Sequence, residues 1–101
     1  MRKAGIDAGR YIDILTNSLF SAPVYRTYGS MIAGENYQPA GFRLLLCLKD
    51  IRLTLAAAEA EAVPIPAASL MRDHFIEGVA HGDGDADWAA LARVAASNAG
   101  L

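Results

Sequence analysis

Residues Gly41 to Ala62 read GFRLLLCLKDIRLTLAAAEAEA, and their spacing decides the fold. At about 100° per residue, Leu44, Leu48, Ile51, Leu55 and Ala58 run down one side of a helix. Phe42, Leu45, Leu46, Lys49 and Leu53 form a second apolar stripe with a lysine inside it. A helix with two apolar faces is normally the central element of a domain, packed against neighbours on more than one side. Lys49 therefore falls on a contact surface. Two roles are open to it. Its stem can lie along apolar surface while the ammonium reaches water, or the cation can line a cleft where an anionic ligand or a second domain docks. Asp50 is not expected to pair with it, because adjacent helical residues point about 100° apart.

On either side of this helix the chain is punctuated for further helices. Arg2 and Lys3 ahead of Gly5 look like a helix end, with cations at the negative pole and Gly in the left-handed cap position. So short a helix cannot stand alone, so the segment is expected to finish an element that starts upstream. Asp7 reads as the N-cap of a helix reaching about Ser18, with Tyr11, Ile12, Leu15 and Leu19 on its inner face. Ser21 and Pro23 open another, which carries Val24, Tyr28, Met31 and Ile32 inward and stops at Gly34.

Beyond the central helix, Pro64 and Pro66 introduce a helix whose apolar face is Leu70, Met71, Phe75 and Val79. Gly78 on that helix implies a close neighbour, at a cost of about 1 kcal/mol relative to Ala. Gly82 to Gly84 makes a turn. A last helix from about Asp87 to Asn98 spaces Trp88, Leu91, Ala92 and Ala95 as one buried stripe. No segment alternates as a strand does. The expected fold is all-α: a single domain of about five helices around a central one over residues 42–62.

A chain of 101 residues supports one domain with a modest core. Its net charge of −2 gives no basic footprint for nucleic acid. The apolar runs fall short of the roughly 20 residues a membrane span needs, so no membrane partner is expected. The N-terminal stretch mixes charges into an amphipathic pattern unlike a secretory signal, and a cytoplasmic location is the expectation. The single cysteine, Cys47, sits among leucines and reads as a buried structural thiol. His74 and His81 lie two turns apart, roughly 10 Å, too far to share a metal. Asp83, Asp85 and Asp87 alternate like a calcium loop, but Trp88 stands where Gly is required and Val94 where Glu is required. Their better use is to cap the final helix. No nucleophile triad and no glycine-rich nucleotide loop is present.

A resemblance carries the reading further. The runs LTNSLFSAPVYRTYGSMI (Leu15 to Ile32), Gly41 to Pro66, and GDGDADWAAL (Gly82 to Leu91) resemble the C-terminal domain of the β-hydroxyacid dehydrogenases. That family includes 3-hydroxyisobutyrate dehydrogenase and tartronate semialdehyde reductase, and its C-terminal domain is similar to that of 6-phosphogluconate dehydrogenase. The most specific element is the pattern F-x-L-x-L-x-x-K-D-x-x-L-A. It is met by Phe42, Leu44, Leu46, Lys49, Asp50 and Leu53, with the final alanine displaced to Ala56.

The resemblance implies an NAD- or NADP-dependent enzyme that interconverts a small hydroxyacid and a semialdehyde. It implies that residues 1–5 end the helix joining an N-terminal Rossmann domain, absent here, to a helical domain over residues 6–101. It also implies cofactor-binding roles for Lys49 and Phe42 and, less directly, Asp50, and it implies assembly as a homo-oligomer. The family's catalytic lysine and dinucleotide loop belong upstream, so no catalytic residue is expected in this chain. A second expectation, from a different class, is a standalone helical dimerisation or interaction module.

Overall fold

A computed structural model describes all 101 residues. After a 3-10 turn at Arg2–Ala4 come five α-helices: α1 (Ala8–Thr16), α2 (Pro23–Gly34), α3 (Leu44–Ala60), α4 (Pro66–Ala80) and α5 (Leu91–Asn98). A second 3-10 turn, Trp88–Ala90, leads into α5. The all-α expectation holds, and none of the helices is long and apolar enough to cross a membrane.

Local chemistry sets most of the boundaries. The Asp7 carboxylate accepts from the Arg10 N–H at 2.8 Å and starts α1. Pro23 and Pro66 occupy first-turn positions, where their missing N–H costs nothing. Gly5 takes the left-handed cap conformation at φ 75°. The segment it closes is a single 3-10 turn, which acts as a strap. The Arg2 guanidinium donates to the carbonyls of Ile32 and Ala33 and to the Glu35 carboxylate, at the C-terminal end of α2. The Lys3 ammonium donates to the Ala99 carbonyl at the end of α5. Each cation thus meets the negative pole of a different helix.

The helices form two groups. In the first, α1 and α2 make an antiparallel hairpin. Arg26 donates to the Thr16 carbonyl at 2.7 Å, while Gly29 lies against Ile12 so closely that a β-carbon there would come within 2.9 Å of the isoleucine. The second group is α3, α4 and α5, built on Leu44, Leu48 and Phe75. Gly78 lets α4 approach Leu44 as its position implied, since an added β-carbon would lie 3.0 Å from the leucine Cδ1. The Trp88–Ala90 turn packs against α2, α3 and α5 and joins the groups.

The junction between them centres on Asp87, whose residue is 1% exposed. Its Oδ2 accepts from the N–H groups of Gly41 and Phe42 at 3.0 and 3.1 Å, and its Oδ1 from that of Ala89 at 2.9 Å. Around this carboxylate the α2–α3 connection and the segment before Trp88 run side by side. Trp88 N–H donates to the Phe42 carbonyl, and Asp87 N–H to that of Tyr37. The first N–H groups of α3, on Leu44 and Leu45, donate to the carbonyls of Ala86 and Gly84. Backbone from a distant segment therefore satisfies groups that a capping side chain usually serves.

Several expectations about faces are corrected. Helix α3 buries only its Leu44–Leu48 stripe, while Leu45, Lys49 and Leu53 on the other face are exposed, because α4 and the 3-10 turn cover one side alone. It also begins two residues later than expected, since Arg43 is held extended in a bridge to Asp87. Leu19 lies beyond the end of α1 and points to solvent, and Val24 and Leu70 are exposed as well. In the last helix the deepest residues are Ala90 and Val94, not the Trp88–Ala95 stripe. The cause is the 3-10 start, whose tighter turn shifts the register of the residues after it.

Replacing Asp87 with Ala would take the acceptor from three N–H donors, one of them buried and two part-buried. Chemical denaturation of Asp87→Ala is expected to show a loss of about 3 kcal/mol or more. A loss below about 1 kcal/mol would contradict the junction's role.

Candidate functional site

The first turns of α3 and the Asp87 junction enclose one side of a cleft of about 390 Å3. Cys47, Asp50, Ile51 and Thr54 recur at helical spacing and form its α3 wall. Phe42 enters from the extended segment before the helix, Phe75 from α4 and Trp88 from the 3-10 turn. The hydrogen bond from Trp88 N–H to the Phe42 carbonyl, 2.9 Å, sets these two aromatic side chains at the same cleft. Tyr28 of α2 packs edge-on to the indole with ring centres 4.8 Å apart and holds it from behind. The result is an aromatic and apolar floor with one carboxylate and one hydroxyl at its edge.

Of the three residues singled out by the resemblance, Phe42 and Asp50 line this cleft and Lys49 stands outside its lining. The lysine ammonium lies 3.6 Å from the Asp50 carboxylate, with its side chain 64% exposed. This corrects the expectation that neighbours on a helix cannot pair. The backbone directions diverge, but a four-carbon stem can curl back across the helix surface to reach the adjacent residue. A solvated pair of this kind contributes roughly 0.2–1 kcal/mol at most, so it leaves the ammonium free to turn to another anion.

Trp88, Phe75, Ile51 and Thr54 were not singled out as site residues from the sequence. The spacing of Cys47, Asp50, Ile51 and Thr54 was visible, but its mix of polar and apolar types hides the face. Trp88 joins them only through the Asp87 junction, for which no local signal exists.

Cys47 is half-buried in the cleft wall, and its thiol is pushed up to about 11 by burial first and by the Asp50 and Asp87 carboxylates second. Burial also raises the Tyr37 phenol. The acidic turn residues are spoken for: Asp83 pairs with Arg93, Asp85 pairs with Arg43 at 3.3 Å, and Asp87 caps the final turn as expected. No cluster of potential metal ligands is present, and His74 and His81 form none.

Comparison with known proteins fits this geometry. Residues 1–95 match the family described as the NAD-binding domain of NADP-dependent 3-hydroxyisobutyrate dehydrogenase, and the chain belongs to that family. It is 43% identical over 91 residues to the Bacillus subtilis oxidoreductase YfjR, covering 90% of this chain and 32% of that protein. It is 32% identical over 89 residues to glyoxylate/succinic semialdehyde reductase 1 of Arabidopsis thaliana, covering 88% of this chain and 30% of the relative. The fold matches a crystal structure of 3-hydroxyisobutyrate dehydrogenase from Salmonella typhimurium with a TM-score of 0.83 at 22% identity, over 92% of this chain and 32% of that one. The chain thus spans about a third of the length of these relatives.

With its thiol at about 11, Cys47 should react with an aromatic disulfide reagent at neutral pH roughly 100-fold more slowly than an unperturbed cysteine. The rate should rise tenfold per pH unit up to that value. A fast reaction at neutral pH would contradict the buried, carboxylate-flanked setting.

Proposed function

We infer that this chain, as a member of that family, supplies the helical half of the cofactor cleft of an NAD(P)-dependent β-hydroxyacid dehydrogenase. The remaining part of the enzyme is an N-terminal Rossmann domain, and residues 1–5 are the end of the helix that joins the two. The whole enzyme interconverts a small 2- or 3-hydroxyacid and a semialdehyde, and it assembles from more than one copy. The observation that carries this reading is the convergence of Phe42 and Asp50 on one cleft, with the Lys49 ammonium outside its lining but paired to Asp50. Two relatives are named as reductases of small carbonyl acids, the Arabidopsis protein above and 2-hydroxy-3-oxopropionate reductase of Escherichia coli, 29% identical over 89 residues.

The residues present suit one end of a dinucleotide. When bound, the nicotinamide cofactor supplies the hydride chemistry. Phe42 offers a flat apolar wall against which a ring can lie, and the floor of Phe75 and Trp88 keeps water from one side of it. Asp50 accepts a hydrogen bond from an amide or hydroxyl at the edge. The Lys49 ammonium, held only by a solvated partner, donates to ribose or phosphate oxygens. By the family resemblance, the proton donor to the reacting oxygen is a lysine of the other half, and the chain alone is expected to be inactive.

An enzyme made by joining this chain to the N-terminal portion of its Bacillus subtilis relative provides the test. Lys49→Ala is expected to weaken NAD(P)H binding about tenfold, the worth of one charge-assisted hydrogen bond, and Phe42→Ala to weaken it by a similar factor. Unchanged cofactor titrations for both variants would overturn the assignment.

A further inference from the structure

Cavities on different sides of this domain share one side chain, Trp88. It lines the cleft of about 390 Å3, a groove of about 420 Å3 along the α1–α2 hairpin, and a space of about 280 Å3 between α2, α4 and α5. The indole is therefore a partition with open volume beside it. Its backbone is held by the bond from its own N–H to the Phe42 carbonyl and by the Asp87 cap that begins its turn. Those bonds do not set the side-chain torsions, so packing decides where the ring stands.

That packing comes from two directions. The indole rests on the cluster of Leu44, Leu48 and Phe75, and Tyr28 closes it from the hairpin side. The two ring centres are 4.8 Å apart at an interplanar angle of 66°, the edge-to-face geometry that aromatic pairs favour. Tyr28 lines the groove and the inner space but not the cleft, so it reaches a ligand in the cleft only through the indole. Its own place is set by α1. Gly29, the next residue, lets α2 approach Ile12 until an added β-carbon would lie 2.9 Å from the isoleucine, and Arg26 donates to the Thr16 carbonyl at 2.7 Å. Thus α1 holds α2, and α2 presents Tyr28 to the turn through which the hairpin meets the second helical group.

We propose that Tyr28 is a positioning residue of the cofactor cleft, holding the Trp88 indole in place as one wall, with the α1–α2 hairpin as its buttress. The proposal rests on the reading of the cleft as a cofactor site and adds to that site a residue that never touches the ligand. Without the tyrosine ring, the indole can turn into the open volume behind it. The cleft then loses part of its apolar floor. An aromatic contact of this geometry sets the scale of the loss at roughly two- to tenfold in affinity.

Trp88 is the sole tryptophan of the chain, so its emission reports the position of the wall directly. In the chain itself, Tyr28→Leu is expected to move that emission to longer wavelength and to lower its anisotropy, whereas Tyr28→Phe, which keeps the ring, matches the parent. In the enzyme joined to the N-terminal portion of the Bacillus subtilis relative, NADPH titration is expected to show binding weakened about three- to tenfold by Tyr28→Leu and restored to within about twofold by Tyr28→Phe. Trp88→Leu should weaken it at least as much, and Tyr28→Leu added to Trp88→Leu should cost nothing more, because the two residues act in series. Tyr28→Met, which also lacks a ring, takes the place of Tyr28→Leu if circular dichroism shows that leucine disturbs folding. Losses that add in full in the double variant, or an emission that Tyr28→Leu leaves unmoved, would overturn the proposal. An unchanged NADPH affinity for Tyr28→Leu beside a weakened one for Lys49→Ala and Phe42→Ala would overturn it too and leave the cofactor site standing. Unchanged affinity in every variant would overturn the cofactor reading with it.

Discussion

The arrangement of this domain depends on one buried carboxylate. A charge at the depth of Asp87 costs several kcal/mol unless hydrogen bonds replace the water it has lost. Here three backbone N–H groups do so, two from Gly41 and Phe42 and one from Ala89. The donors come from segments more than forty residues apart, so satisfying the charge also fixes the register between them. That register puts the carbonyls of Gly84 and Ala86 over the first N–H groups of α3. It also places the Trp88 indole opposite Phe42. The α1–α2 hairpin attaches to the other helices through the same turn. Core burial in the chain is otherwise thin, with 13 of 101 residues buried, so a polar junction has unusual weight in this small domain.

The parts of the fold legible in the sequence were those fixed by local chemistry. Asp7, Pro23 and Pro66 act within one turn of their own positions, and each marks the helix start it implied. Gly78 reveals the close approach of Leu44 because only a missing side chain permits it. The cap from Asp87 to Ala89 was equally local and equally readable. Its bonds to Gly41 and Phe42 were not, because pairing across that separation leaves no periodicity. The errors in face assignment share one origin. Periodicity says which residues share a side of a helix, but not whether anything covers that side. Leu19, Val24, Leu45 and Leu53 have the spacing of core residues and stand at the surface.

Those exposed positions divide the molecule into two working faces of different character. Along α3 the apolar surface is edged by Asp50, Lys49 and Thr54, a mixture suited to a ligand with both a ring and polar oxygens. On the α1–α2 hairpin the groove has no charged lining, which suits packing and not recognition of a small anion. Family membership rests on residues 1–95 as a whole, and the reading of the α3 face follows from it for a handful of side chains. Trp88 lines both faces.

The central claim is that the α3 face closes over a nicotinamide cofactor. Hydrogen–deuterium exchange of the enzyme joined to its dinucleotide-binding half, with and without NADP(H), tests it most directly. The account predicts cofactor-dependent protection in the peptides spanning residues 41–54 and 86–90. Protection confined to the dinucleotide-binding half, with these two peptides exchanging as before, would contradict it.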